Sequence, residues 1–213
     1  LIILTCVVLL PLLLSLWTSF TPFKLTKPDT LYRFVGFRNY ERLIGDLDFW
    51  IAFGRTVLFL AIALNLELVF GLGIALLINK ITYGQRTLRT LMMFPMMFSP
   101  ILVGFQWKYI FNDNIGLMNN FLREFGVIQP IPWLVDGILA NVSIMAAEIW
   151  SSTSVFAILL LAGLLGIPKD PIEAAKVDGC NSWQVFKNIT LPFLMPFVFI
   201  AMTIRSLDVA RAY

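Results

Sequence analysis

The hydrophobic positions of this chain come in long blocks. Five segments are almost continuously apolar: Leu1–Phe20, about Ile51–Ile78, Leu88–Phe111, about Ile138–Ile167, and Ile189 towards the end. Polar positions gather in the connections between them. A helix needs about 20 apolar residues to cross the hydrocarbon core of a bilayer, so the blocks predict five spanning helices. Several exceed that minimum, which predicts tilting or projection beyond the bilayer. The expected fold class is all-α, a polytopic helical membrane bundle forming one domain over 1–213. The sequence opens inside an apolar run, without Met, and stops at Tyr213, so it reads as a fragment truncated at both ends. No charged segment precedes the first block and no small-residue cleavage site follows it. That block therefore reads as a spanning helix and not as a signal peptide.

Prolines punctuate two blocks: Pro95 and Pro100 lie in the third, and Pro192 and Pro196 open the fifth. Each removes a backbone donor and tends to kink a helix. Membrane helices tolerate this where neighbours or a cavity satisfy the freed carbonyls. Charges in the connections give an orientation. Lys80, Arg86 and Arg89 follow the second block with no acid, whereas Arg123 after the third is outnumbered by Asp113, Glu124 and Asp136. Basic loops stay on the cytoplasmic side, which places the former inside and the latter outside. The segment Thr21–Trp50 then falls outside although it carries five basic residues, partly balanced by four acids. The outer connection after the third block contains short amphipathic pieces suited to the membrane surface.

Composition narrows the class. The chain is 59% hydrophobic and 14% charged, against about 25% charged for a soluble domain; so few charges do not cover a water-soluble surface. A formal charge of +3, scattered along the chain, is no nucleic-acid footprint. The chain has no histidine, the commonest metal ligand and general base. Cys6 and Cys180 stand apart, so neither a disulfide framework nor a metal site is implied. No cofactor is expected on this chain.

One polar stretch, KDPIEAAKVDGCNSWQVFKNITLP from Lys169 to Pro192, interrupts the last two blocks. Asp170 offers a helix cap, Pro171 suits a first turn, and Glu173 falls three residues after the cap. Gly179 supplies the left-handed residue that ends helices. Asn181 and Gln184 form a second cap pair, and Pro192 marks entry into the next span. Helix, tight turn, helix is the expectation, on the cytoplasmic side. Small Ala174 and Ala175 permit close approach by another surface, and Ile172, Val177 and Trp183 present apolar groups. These features suit a docking element better than an inert connector.

This stretch closely resembles the signature loop of ABC importer permeases, in which Glu-Ala-Ala is followed after three residues by Gly and after nine more by Ile-x-Leu-Pro. Glu173, Ala174, Ala175, Gly179, Ile189, Leu191 and Pro192 match it at every position. GFRNYERL at Gly36–Leu43, GLGIALLIN at Gly71–Asn79, LAGLLGIPKD at Leu161–Asp170 and RSLDVARAY at Arg205–Tyr213 are similar to the sugar-permease branch. The resemblance implies a bundle of the type I ABC importer permease kind, with five spans visible and a sixth beyond this fragment. It implies a coupling loop over 168–188, with Glu173, Ala174, Ala175 and Gly179 at its core and Asp178 in support. It further implies a partner ABC ATPase dimer that binds ATP and Mg, a second related permease forming a heterodimer, an extracellular or periplasmic substrate-binding protein, and a prokaryotic cytoplasmic membrane. This chain carries no G-x-x-x-x-G-K-[ST] phosphate loop of its own. The expected function is carriage of a carbohydrate, polyol or glycerol phosphate, and not enzymatic catalysis.

Ionisable residues inside spans usually face a cavity or a partner charge. Glu67, Glu148, Arg205 and Asp208 occupy such positions, and Arg205 with Asp208 has the i,i+3 spacing of an intrahelical pair. Sugar rings call for aromatic platforms beside polar groups, which Trp150, with Asn65, Glu148 and Ser151–Ser154, provides. Trp107, nearer the outer end, suits an interface anchor. The substrate-pathway candidates are thus Asn65, Glu67, Glu148, Trp150, Arg205 and Asp208. A gradient-driven secondary transporter or channel is the alternative suggested by the intramembrane acids Glu67 and Glu148; a polytopic membrane enzyme lacks a nucleophile motif or paired catalytic carboxylates.

Overall fold

The computed structural model describes residues 2–127 and 129–212, which form helices and connections, with one isolated bridge between Lys24 and Lys27. The chain divides into two compact units, one ending at Val57 and one beginning at Leu58. In the first, α1 (Ile2–Ser19) is followed by a 3-10 turn at Pro28–Tyr32 and by α2 (Arg38–Ile44). The connection is ordered by side chains. Asn39 donates its amide to the Ser19 and Thr21 carbonyls at 2.8 Å each, Tyr40 donates to the Ser19 hydroxyl at 2.7 Å, and Trp17 donates to the Leu31 carbonyl at 3.1 Å. Phe20 packs among Phe34, Phe37 and Tyr40. The helix α3 (Leu47–Lys80) begins within this unit.

In the second unit come α4 (Gln85–Met93), α5 (Pro100–Ile110), α6 (Leu117–Glu124), α7 (Gly137–Leu165), α8 (Lys169–Val177), α9 (Ser182–Val185) and α10 (Leu191–Ala212). Its core lies between α3, α7 and α10. Phe59, Ala63, Leu64, Phe156, Ala201 and Val209 make one buried cluster. Ala75, Ile78, Leu160, Leu161, Leu164 and Leu194 make another. Small residues set the spacing, as expected where van der Waals contact and not water exclusion drives helix association. A Cβ on Gly71 would lie 2.5 Å from that of Phe156, and one on Gly163 would lie 2.8 Å from the Phe197 ring.

Among the described residues, three helical stretches are long and apolar enough to cross a membrane: Leu47–Lys80, Gly137–Leu165 and Ser182–Arg211; the first block forms the apolar helix α1. The third block departs from the sequence expectation of one span. It is broken into α4, a 3-10 turn at Pro95–Met97 and α5, with Phe98 extended at ψ 142°. Pro95 and Pro100 deny the chain two N–H donors within six residues. The break is stabilised from outside: the Ser154 hydroxyl on α7 donates to the Met92 carbonyl at 2.6 Å, and Ser99 caps α5 by accepting from the Leu102 N–H.

The connection between α5 and α7 is likewise tied by one side chain. Asn119 on α6 is buried and donates its amide to the Asp113 and Ile131 carbonyls at 2.9 and 3.0 Å. Its oxygen accepts from the Ile131 N–H at 3.2 Å and from the Trp133 indole at 2.9 Å.

Candidate functional site

Two groups of sequence candidates occupy separate places. The first is the polar stretch. Helix α8 starts two residues earlier than cap chemistry predicts: Pro168 occupies the cap, so Asp170 and Pro171 lie inside the first turn, and no side chain caps the end. Proline at the cap with extended backbone fixes the chain entry, and the Asp170 charge still favours the helix start. Gly179 is left-handed, φ 81°, as predicted. Around it the Cys180 N–H reaches back to the Ala175 carbonyl at 2.9 Å and the Gly179 N–H to that of Lys176 at 3.1 Å, a closing pattern for orphan carbonyls.

Asn181 and Gln184 make the reciprocal cap, at 2.8 and 2.9 Å. The second helix does not stop before Pro192, however. A π turn at Phe186–Thr190 joins α9 to α10, with the Leu191 N–H donating to the Phe186 carbonyl. Widening the turn by one residue accommodates the missing donor of Pro192 without breaking the helix. The structure also divides the two alanines. Ala175 is buried beneath α8, whereas Glu173, Ala174, Val177 and Asp178 are exposed. Of the small pair, Ala174 is thus presented outward beside Glu173, while Ala175 is the small residue that lets α8 lie close to its own protein.

The second group lies between the long helices. Arg205 on α10 presents its guanidinium to three carboxylates. Its Nε and Nη2 donate to the two oxygens of Glu67 on α3, at 3.2 and 3.3 Å, a side-on fork. Nη2 also donates to Glu148 on α7, at 2.5 Å. Asp208 lies 3.5 Å from Nη1. The predicted intrahelical pair is thus the most distant and most exposed of the three contacts; burial of Glu67 makes the interhelical pairs dominant. Glu148 is further held by the Ser152 hydroxyl at 3.2 Å.

Glu67 is fully buried, but Glu148, Arg205 and Asp208 border a cavity of about 490 Å³ that Phe98, Ser151 and Ser152 also line. Trp150 is elsewhere. It stacks on Phe98, centroids 6.2 Å apart, and lines a different cavity, of about 580 Å³, with Phe70, Met92 and Pro95. Trp107 meets Trp150 edge to face at 6.0 Å. Asn65 stands apart from both cavities, its amide donated to the Ala61 carbonyl of its own helix at 2.7 Å. Sequence reading missed Phe98, the ring that faces the charged cavity, because nothing local distinguishes it from the other phenylalanines of the broken block. Among the described residues no group of three or more His, Cys, Asp or Glu could hold a metal ion.

Comparison with known proteins gives this arrangement a setting. Residues 67–212, more than half of the chain, match the family described as binding-protein-dependent transport system inner membrane component. The trehalose/maltose transport system permease protein MalF of Thermococcus litoralis is 35% identical over 97% of this chain and 69% of its own length. A probable ABC transporter permease protein, y4oQ of Sinorhizobium fredii, is 35% identical over 93% of this chain and 64% of its own. The chain thus spans about two thirds of the length of the relatives it matches. A bacterial alginate ABC transporter, solved in complex with an alginate pentasaccharide-bound periplasmic protein, superposes with a TM-score of 0.79 at 22% identity, over 96% of this chain and 67% of that one. The all-α membrane fold is common to both. With its matched signature loop on α8, its three long apolar helices and this likeness over nearly its whole length, the chain is a membrane protein that belongs to the family of inner-membrane components of binding-protein-dependent ABC transport systems.

Proposed function

We propose that this chain is the permease subunit of an ATP-driven importer in a prokaryotic cytoplasmic membrane, which it crosses several times, and that its cargo is a carbohydrate or related polyol. The observation that carries the reading is α8. It is a short helix with an exposed Glu173–Ala174 face, stopped by a left-handed glycine and seated on its own protein through buried Ala175. A separate ATPase dimer, holding ATP and Mg, docks on that face. A related second permease and an external substrate-binding protein complete the assembly. The carbohydrate class is supported by the trehalose/maltose relative and by the alginate complex, as is the binding-protein partner.

The geometry suggests how a push on α8 is passed on. From Gly179 the chain enters α9, and the π turn makes α9 continuous with α10. Helix α10 carries Arg205, which grips α3 through Glu67 and α7 through Glu148. A displacement at the docking face therefore reaches three spanning helices as one body. The charged cavity beside Arg205 offers hydroxyl-binding carboxylates, Glu148 and Asp208, next to the Phe98 ring, a pairing suited to the polar edge and apolar C–H face of a sugar.

Reconstituted with the ATPase and binding protein, the transporter is expected to take up cargo with ATP inside the vesicle, and to keep doing so when the proton gradient is collapsed. Uptake abolished by an uncoupler while ATP persists would replace this reading with a gradient-driven carrier.

A further inference from the structure

A cavity of about 430 Å³ lies between α8, α9 and the ends of α3 and α7. Leu76, Leu164, Ile167 and Phe186 give it apolar walls, and Lys80 and Lys176 are its charged groups; no Asp or Glu lines it. Ion pairs among the described residues centre on Arg205, and none of them involves either lysine. The acids nearest in sequence, Asp170, Glu173 and Asp178, are not part of the lining; they and the two lysines are all exposed. An apolar cavity with two uncompensated ammonium groups is complementary to a molecule with an anionic head and apolar chains.

We propose that this cavity holds an anionic phospholipid, its phosphate between Lys80 and Lys176 and its acyl chains along the apolar walls. Position favours a lipid over a soluble anion. Lys80 ends α3, a helix long and apolar enough to cross a membrane, and Lys176 lies in the last turn of α8 beside it across the cavity; headgroups begin where a spanning helix leaves the hydrocarbon. Trp183 marks the same level: it lines the cavity, is 67% exposed and stacks on Phe186 at 5.6 Å, and exposed tryptophan settles among headgroups. Basic pockets between spanning helices on the cytoplasmic side hold anionic headgroups. A free phosphate uses the lysines alone, whereas a lipid also covers the apolar walls. The lipid lies behind α8, opposite the exposed Glu173–Ala174 face, so it supports the docking helix from below without occupying the docking surface. The inference rests on the membrane placement of the chain and not on its cargo.

Tryptophan fluorescence of the reconstituted chain tests it. Vesicles of phosphatidylcholine receive a few mole per cent of phosphatidylglycerol brominated on acyl carbons near the headgroup, a short-range quencher. The reference is brominated phosphatidylcholine at the same fraction. Saturable excess quenching by the anionic lipid is expected, lost in Trp183→Phe. The lipid fraction at half-saturation should rise on the order of tenfold in Lys80→Gln/Lys176→Gln and stay unchanged in Lys80→Arg/Lys176→Arg. Equal quenching by the two lipids, or an unshifted half-saturation in the glutamine variant, overturns the proposal. Displacement by millimolar inorganic phosphate overturns it in favour of a soluble-anion site. Should the glutamine variant fail to insert, as judged by helical circular dichroism, the Trp183→Phe comparison decides alone: excess quenching that survives it places the lipid elsewhere. No arm of the experiment reads transport, so its outcome is separable from that of the importer reading.

Discussion

Arg205 has five donors and three carboxylate neighbours, and the three are not equivalent. Glu67 is enclosed by protein, Glu148 is partly open to the cavity, and Asp208 is more than half exposed. Removing the arginine strands the enclosed carboxylate, so Arg205→Gln is expected to destabilise the folded chain by about 3–5 kcal/mol. Arg205→Met combined with Glu67→Leu removes both buried charges and should recover most of that loss. Asp208→Asn, at the solvated edge, should cost less than about 1 kcal/mol. Unfolding of the purified variants in detergent checks the order. Equal losses for Arg205→Gln and Asp208→Asn would show that the buried fork with Glu67 carries no special weight. Sequence spacing pointed only to Asp208, three residues away. Glu67 is 138 residues distant along the chain, and no local pattern signals such a partner. The need for a partner was legible from the charge in an apolar block; its identity was not. Asn119 shows the same limit, since its four hydrogen bonds reach Asp113, Ile131 and Trp133 across a turn that polar composition alone does not describe.

At the scale of an element, the ends of α8 follow different rules. Its C-terminal stop is a backbone requirement: a Cβ at Gly179 would meet nothing within 4 Å, yet φ is 81°. Any penalty for a side chain there is therefore conformational strain and not a clash. Gly179→Val should cost about 1–2 kcal/mol locally, enough to unwind the last turn of α8 but not the spanning helices. The expected result is a chain that inserts and assembles normally while ATPase stimulation by the loaded binding protein falls several-fold. Gly179→Asn, which tolerates the left-handed region, should retain most of it. Undiminished stimulation in the valine variant would remove α8 geometry from the coupling step. Such stop and cap signals were readable because they act over three or four residues, as with Asn181 and Gln184. The broken third block was not readable in full. Its prolines announced a disturbance, but whether a proline kinks or interrupts a helix depends on who satisfies the carbonyls at the break, and here the Met92 carbonyl finds its donor in Ser154, 62 residues away.

Across the larger unit, α3, α7 and α10 move as one body only if they remain in close contact, and glycines permit that contact at two crossings. Gly71 faces Phe156 on α7, where even a methyl group would sit 2.5 Å from the Phe156 Cβ and 3.0 Å from the Ala157 nitrogen. Backbone atoms cannot step aside as a side chain can, so the helices must separate. Gly73, two residues along the same helix, has open space in the direction of its Cβ. The pair isolates packing from helix propensity, because both positions gain the same propensity when glycine becomes alanine. Gly73→Ala should be neutral or slightly stabilising, whereas Gly71→Ala should lose about 1–3 kcal/mol through overpacking. Separation at Gly71 also lies only four residues from Glu67, so it should loosen the grip of Arg205 and lower coupled uptake along with stability. Thermal unfolding and ATP-driven uptake measured on the two variants side by side test this. If both behave alike, the close crossing of α3 and α7 is not what binds the spanning helices into a single transmitting body.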